Sequence, residues 1–186
     1  MELSIYMEDI KHQLFTTPLL RVLDYLLHHA TIQSVTDSDI TKNIAGVKRA
    51  AVHQSLVKLH RLGVIDRTMK ERHCSNILKT DHAWMIPFKI ASNLLDLQPL
   101  VDDLKVMASK IILFGSRARG TNRAESDYDL LVVTNDADGV RDCIRQSSLR
   151  DRVQLVVKSS EDMLDLAAHE TVFAASMQEG VILWQR

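Results

Sequence analysis

The chain is 186 residues long, 46% hydrophobic and 25% charged, with a formal net charge of −1 and two cysteines. That length and apolar content can fill one ordinary core or two small ones, and no apolar run approaches the roughly 18 residues that a membrane span requires. Cys74 and Cys143 lie far apart with no C-x-x-C spacing, which argues against a disulfide framework or a zinc ribbon; Met1-Glu2-Leu3-Ser4 lacks the basic-then-apolar order of a signal peptide, so a soluble cytoplasmic protein with no membrane partner is expected.

The charge is unevenly spread. Residues 1–86 hold 11 Lys/Arg against 9 Asp/Glu, and residues 87–186 hold 12 against 15. Between positions 48 and 79, eight basic residues face only Asp66 and Glu71, a local basic surface that can attract a nucleic-acid backbone on a near-neutral chain. Thr17-Pro18 reads as an N-cap and first helical position, and Leu19, Leu20, Val22, Leu23, Leu26 and Leu27 give the helix an apolar face through His29. Thr36-Asp37-Ser38-Asp39 opens a short helix to Ala45, Gly46 breaks it, and residues 47–62 form a longer helix with Val52, Leu56 and Leu59 inward. Gly63 ends it as a C′ glycine. Two strands follow, residues 64–68 and 75–80, around a polar tip at 69–74. His28-His29 and His73-Cys74 lack a partner pair at ligand spacing and are read as ordinary histidines.

Three helices and a basic hairpin resemble a winged helix-turn-helix over residues 17–81, with Leu56-Val57-Lys58-Leu59-His60-Arg61-Leu62-Gly63-Val64-Ile65 matching the usual end of its third helix. The resemblance implies a domain at 1–81 that binds double-stranded DNA, with the third helix in the major groove and the wing on phosphate or minor groove. Lys48, Arg49, His53 and Gln54 would line that helix, and Arg67, Lys70 and Arg72 the wing. Protein contact or homodimerisation, with the charges merely solvated, is the alternative. Residues 82–109 read as a packed connector: Trp84, Met85, Ile86 and Phe88 dock on the wing or a partner chain, and residues 94–107 form a helix interrupted at Pro99.

The most specific stretch comes next. Ile111-Ile112-Leu113-Phe114 reads as a buried strand, Gly115-Ser116 as a sharp turn into a helix start, and Asp127-Tyr128-Asp129-Leu130-Leu131-Val132-Val133 as a second strand. A glycine there lets backbone N–H groups approach a phosphate, the serine adds a donor, and a helix N-terminus favours the anion. Residues two apart on a strand share a face about 6.6 Å apart, so Asp127 and Asp129 aim two carboxylates at one point, a hard-cation site.

Gly115-Ser116, ten residues, then Asp127-x-Asp129, with Arg119-Gly120 and Ser126 around them, resembles the polymerase-β-like nucleotidyltransferases, and their minimal group in particular. The resemblance covers residues 110–186. It implies phosphate binding by Gly115 and Ser116 with Arg117 or Arg119 neutralising charge, Mg²⁺ (or Mn²⁺ in its place) at Asp127 and Asp129, and an NTP, ATP first among them, as substrate. The third carboxylate of that family falls in this chain at Val153-Gln154-Leu155-Val156-Val157, so Gln154 stands where an aspartate is expected. On that strand Val153, Leu155 and Val157 would face the helices, and Arg152, Gln154 and Val156 the site. A helix is expected over 136–148, a helical segment over 160–178 and a last strand over 181–184.

The fold expected is α+β: a helical winged head and a small mixed sheet covered by helices. Three functions fit. One is transfer of NMP, AMP first among the choices, from Mg-NTP to a hydroxyl on a protein or other acceptor. A second is a DNA-binding regulator whose second domain only senses nucleotide. A third, implied by the minimal group, is an antitoxin-like partner of a separately encoded HEPN-type protein.

Overall fold

A computed structural model describes residues 15–70, 73–163 and 179–186. Two compact units, Met1–Ser92 and Asn93–Arg186, divide the chain.

In the first unit, helix α1 (Pro18–His29) starts where Thr17 Oγ1 accepts from Leu20 N at 3.3 Å and Pro18 presets the first turn. Strand β1 (Val35–Thr36) leads into α2 (Asp37–Asn43), whose capping box pairs Thr36 Oγ1 with Asp39 N and Asp39 Oδ2 with Thr36 N, each at 3.2 Å. Helix α3 (Arg49–Arg61) ends at Gly63, φ +73°, where Val64 N reaches Leu59 O and Gly63 N reaches His60 O, a Schellman closure. Val22, Leu26 and Leu27 of α1 pack on Ile40, Val52, Leu56 and Ile65 in one apolar core.

Strands β2 (Ile65–Lys70) and β3 (His73–Leu78) pair antiparallel, and β1 joins the far side of β3, giving the order β1-β3-β2. The hairpin is longer than its sequence pattern implies. Met69 pairs with Cys74 and Lys70 with His73, because a ladder uses backbone groups and needs no apolar alternation at its tip. Strand β1, two residues long, is too short to show any period and had no sequence signal.

Helix α4 spans Met85–Leu104, so the expected break at Pro99 does not occur. A helix-interior proline costs about 3 kcal/mol; burial of Leu97, Leu100, Val101 and Leu104 around it offsets that cost. Pro87 lies in the first turn, whose amides have no intrahelical acceptor in any case. Met85 is buried in the first core and Phe88 packs on it, while Trp84 and Ile86 are exposed.

The second unit is a four-stranded mixed sheet in the order β6-β5-β4-β7. Strand β4 (Lys110–Phe114) is antiparallel to β5 (Tyr128–Val133) and β7 (Val181–Gln185), with a bulge on the β7 side; α6 (Ala137–Gln146) carries the chain across from β5 to the parallel strand β6 (Val153–Lys158). One face packs Ile111, Leu113, Tyr128, Leu130 and Val132 with Leu97, Leu104, Val140 and Ile144. Val153, Leu155 and Val157 join that face, and Val156 joins Ile112, Leu131 and Val133 on the other, as strand alternation requires. Of the helical segment expected over 160–178, residues 160–163 are helical and 164–178 lie outside the described residues. The architecture is α+β.

Candidate functional site

Strand β4 delivers Phe114 to the turn, and Gly115 follows at φ +69°. A Cβ built on Gly115 would overlap Asp129 Oδ2 and stand 2.9 Å from its Cγ. Glycine is therefore required twice, by backbone conformation and by the carboxylate beneath it. Asp129 lies opposite Phe114 across the β4–β5 ladder, which is what presses the acid against the turn. The helix after the turn, α5 (Gly115–Ala118), is a single turn. It is too short for much of a macrodipole, so what the turn offers an anion is its backbone amides and the half-exposed Ser116 side chain.

Asp127 is exposed just before β5, and Asp129 is half-buried on it. Burial raises the Asp129 carboxyl above its ordinary range, the Asp127 charge raises it further, and Arg119 and Arg117 partly offset both. Two carboxylates held beside each other with one of them made harder to ionise form a donor set that a hard divalent cation suits. The two residues fit one such ion, provided that other oxygens, such as those of water, would complete its shell.

The parallel register pairs Asp129 with Gln154 on β6, so the two residues are direct cross-strand neighbours. Gln154 is exposed. Among the described residues no group of three or more His, Cys, Asp or Glu is placed to hold a metal. Asp151 lies in a 3-10 turn, Arg150–Arg152, paired with Arg150 at 3.4 Å. Glu161 is exposed on the helical turn after β6.

The two arginines expected on phosphate differ. Arg119 is 46% exposed, with Glu179 at 3.9 Å, and is free to turn toward an anion. Arg117 is not: it is 2% exposed, and its guanidinium donates to Ser126 O, Ala124 O and Asn93 Oδ1. The phosphate role expected of Arg117 is corrected on that ground, since its fork is consumed by carbonyls. Sequence reading also missed the side chains around it. Asn93, Asn122 and Tyr128 are buried, and Tyr128 Oη donates to Asp96 Oδ2 at 3.0 Å. Burial pushes the Tyr128 phenol well up, and Asp96 adds to it. One signal existed: Asn93 stands one turn before Leu97 on the apolar stripe of α4, a polar residue where leucine is the expectation.

In the first unit, Lys48, Arg49, His53 and Gln54 are all exposed at the start and on the outer face of α3. Arg67 is withdrawn from that surface. Its side chain is 10% exposed, and Nη2 meets Asp37 Oδ2 at 2.5 Å while Nη1 meets Asn76 Oδ1 at 3.2 Å. His53 Nδ1 lies 3.3 Å from the same Asp37 oxygen. Burial alone would raise the Asp37 carboxyl, but hydrogen bonds from Asn76, Arg67 and His53 outweigh it and hold it below the usual range. The wing role expected of Arg67 is corrected: it ties β2 to the start of α2. Lys70 ends β2, and Arg72 lies outside the described residues.

Among the described residues no helix is long and apolar enough to cross a membrane. No curated protein and no solved structure matches the chain. A family model described as polymerase beta, nucleotidyltransferase, matches residues 89–186, more than half of the chain and all of the sheet that bears Gly115, Ser116, Asp127 and Asp129. The chain thus belongs to the polymerase-β nucleotidyltransferase family.

Proposed function

We propose that the protein binds an NTP with Mg²⁺ and transfers its NMP, AMP by preference, to a hydroxyl acceptor, and that its first unit is a winged helix that binds duplex DNA. The observation that carries the first part is the glycine cradle. Gly115 leaves room for Asp129 and nothing more, which sets phosphate-binding amides against a metal-binding acid. A divalent ion bound by Asp127 and Asp129 would supply charge neutralisation at the phosphates. The chain's own residues bind and orient: Gly115 and Ser116 hold phosphate oxygens, and Arg119 offsets their charge. The acceptor oxygen then bonds to the α-phosphorus, the bond to the bridging oxygen breaks, and pyrophosphate leaves. The hydroxyl proton goes to water, because the Gln154 amide is no base.

The order helix, strand, helix, helix, strand, strand in residues 18–78, with an exposed basic start to α3, supports the winged-helix part. Calorimetry tests the nucleotide site: Asp127→Ala with Asp129→Ala is expected to abolish the Mg²⁺-dependent part of ATP binding. A double variant that binds Mg-ATP like the parent refutes the metal assignment.

The neutral Gln154 beside Asp129 favours a second reading, a DNA-binding regulator in which the site senses nucleotide and transfers slowly. A missing charged ligand worth several kcal/mol lowers turnover by orders of magnitude, at about tenfold per 1.36 kcal/mol. Gln154→Asp is then expected to raise transfer of label from ATP with little change in nucleotide affinity. Brisk transfer by the parent, unaltered in the variant, selects the enzyme.

A further inference from the structure

Arg117 presents a physical problem. Its guanidinium is 2% exposed, burial lowers its pKa, and none of its hydrogen bonds goes to a carboxylate. A buried cation without an ion-pair partner is costly, and an apolar side chain would fill the same space more cheaply. What only arginine offers is a rigid planar fork of five donors. Here that fork is used on a loop. Nε and Nη2 both donate to Ser126 O, at 3.0 and 2.8 Å, Nη2 also reaches Ala124 O at 3.4 Å, and Nη1 donates to Asn93 Oδ1 at 2.8 Å. Ser126 is the residue immediately before Asp127.

A second arginine holds the same loop from the other strand. Arg152 Nη2 donates to Ala124 O at 2.5 Å. Because Arg152 lies in the 3-10 turn ahead of β6, strand alternation does not govern it, and it reaches the Tyr128 side of the sheet rather than the side expected from sequence. The Tyr128 ring, between Asp127 and Asp129 in the chain, lies 3.9 Å from the Arg117 guanidinium carbon and 5.7 Å from that of Arg152. Its hydroxyl is tied to Asp96. The Arg117 end is fixed in turn, since Asn93 Nδ2 donates to Arg117 O at 3.0 Å and to Asn122 Oδ1 at 3.0 Å. Within the loop, Arg123 N donates to Ser126 Oγ at 2.9 Å.

We propose that Arg117 and Arg152 are positioning residues that clamp the carbonyls of Ala124 and Ser126 and so hold Asp127 and Asp129 in the geometry that takes a divalent cation. Arg117 originates on the turn helix that begins with Gly115 and Ser116. Its side chain therefore links the phosphate end of the site to the carboxylate end, without touching either ligand. The inference rests on the metal-binding reading of Asp127 and Asp129.

The test uses the full chain and Mn²⁺ alone as probe, followed by electron paramagnetic resonance, with metal-free ATP binding and thermal melting measured in parallel. Arg117→Lys keeps the charge and loses the fork; it is expected to weaken Mn²⁺ binding by about 10- to 100-fold, the usual range for residues that orient ligands from behind, while metal-free ATP binding is unchanged. Arg152→Gln, at an exposed position, is expected to show a smaller loss in the same direction, and Arg152→Lys to restore only part of it. Amide exchange at residues 124–129 is expected to quicken in each variant. The proposal is overturned if folded Arg117→Lys binds Mn²⁺ like the parent, or if metal-free ATP binding falls as far as metal binding, which would place the arginine on phosphate. Should Arg117→Lys fail to fold, Arg152→Gln decides, and unchanged Mn²⁺ binding there overturns it. A parent whose Mn²⁺ binding matches that of the Asp127→Ala, Asp129→Ala double variant refutes the metal reading itself, and the clamp with it.

Discussion

Gly115 tolerates little change, because conformation and space both restrict it. Any side chain must adopt φ near +69° and displace Asp129, whose Oδ2 already fills the place a Cβ would take. The left-handed conformation alone costs a non-glycine residue about 1–2 kcal/mol. Gly115→Ala is therefore expected to lower the melting temperature and to remove Mg-ATP binding together, measured by calorimetry on the folded fraction. Stable protein with intact Mg-ATP affinity would show that Asp129 is free to swing clear. Asp129 bears the opposite tension: burial and the neighbouring Asp127 raise its carboxyl, so its ionisation costs more than that of a free aspartate, and a bound cation would offset that cost. Neighbouring residues can thus differ sharply in role. Arg119 faces outward and can serve an anion, while Arg117, two positions earlier, is spent on carbonyls.

Helix α3 separates its faces cleanly. Val52, Ser55, Leu56 and Leu59 are buried, and Arg49, His53, Gln54 and Lys58 are exposed at helical spacing on the other side. Lys48 at its start makes no capping hydrogen bond. If this face meets duplex DNA, each phosphate that a basic side chain neutralises steepens the plot of log affinity against log salt by about 0.9. Lys48→Ala with Arg49→Ala is expected to weaken binding to a random duplex pool and to flatten that plot by up to about 1.8, the share of two phosphates. Absence of binding by the parent at low salt would leave protein contact as the use of this face. Arg67 offers a contrast within the same unit: because it is paired with Asp37, its removal is expected to act on stability before it acts on salt dependence.

For the molecule as a whole, a net charge of −1 gives no long-range pull toward a polyanion, so nucleic-acid affinity has to come from local charge. A regulator that senses nucleotide requires coupling between its two ligands, and coupling in binding is reciprocal. Under that reading, Mg-ATP is expected to change DNA affinity by some factor, and a saturating duplex to change Mg-ATP affinity by the same factor. Fluorescence anisotropy of labelled DNA with and without nucleotide measures the first, and calorimetry the second. Independence of the two affinities would favour a transferase that is merely carried to DNA.

Local chemistry made much of this protein legible from its residues alone. The caps at Thr17 and Thr36, the stop at Gly63, the strand ahead of Gly115 and the spacing from Ser116 to Asp127 depend on interactions within a few positions, and such interactions are visible in order along a chain. That Val153, Leu155 and Val157 face the helices followed from strand alternation, whereas the place of Gln154 at a carboxylate position came from the family resemblance and its register with Asp129 from the fold. Folding decided the rest. Whether Arg117 and Arg67 face solvent depends on carbonyls and a carboxylate distant in sequence, and a guanidinium looks the same in a string of residues whether it is buried or free. Pro99 stayed helical because leucines from two sides of it were buried on a sheet that no local rule includes. Asn93, Asn122, Tyr128 and Arg152 acquire a role only when the loop before Asp127 is laid over them, since a hydrogen-bond network is a property of positions in space and leaves almost no period in the sequence.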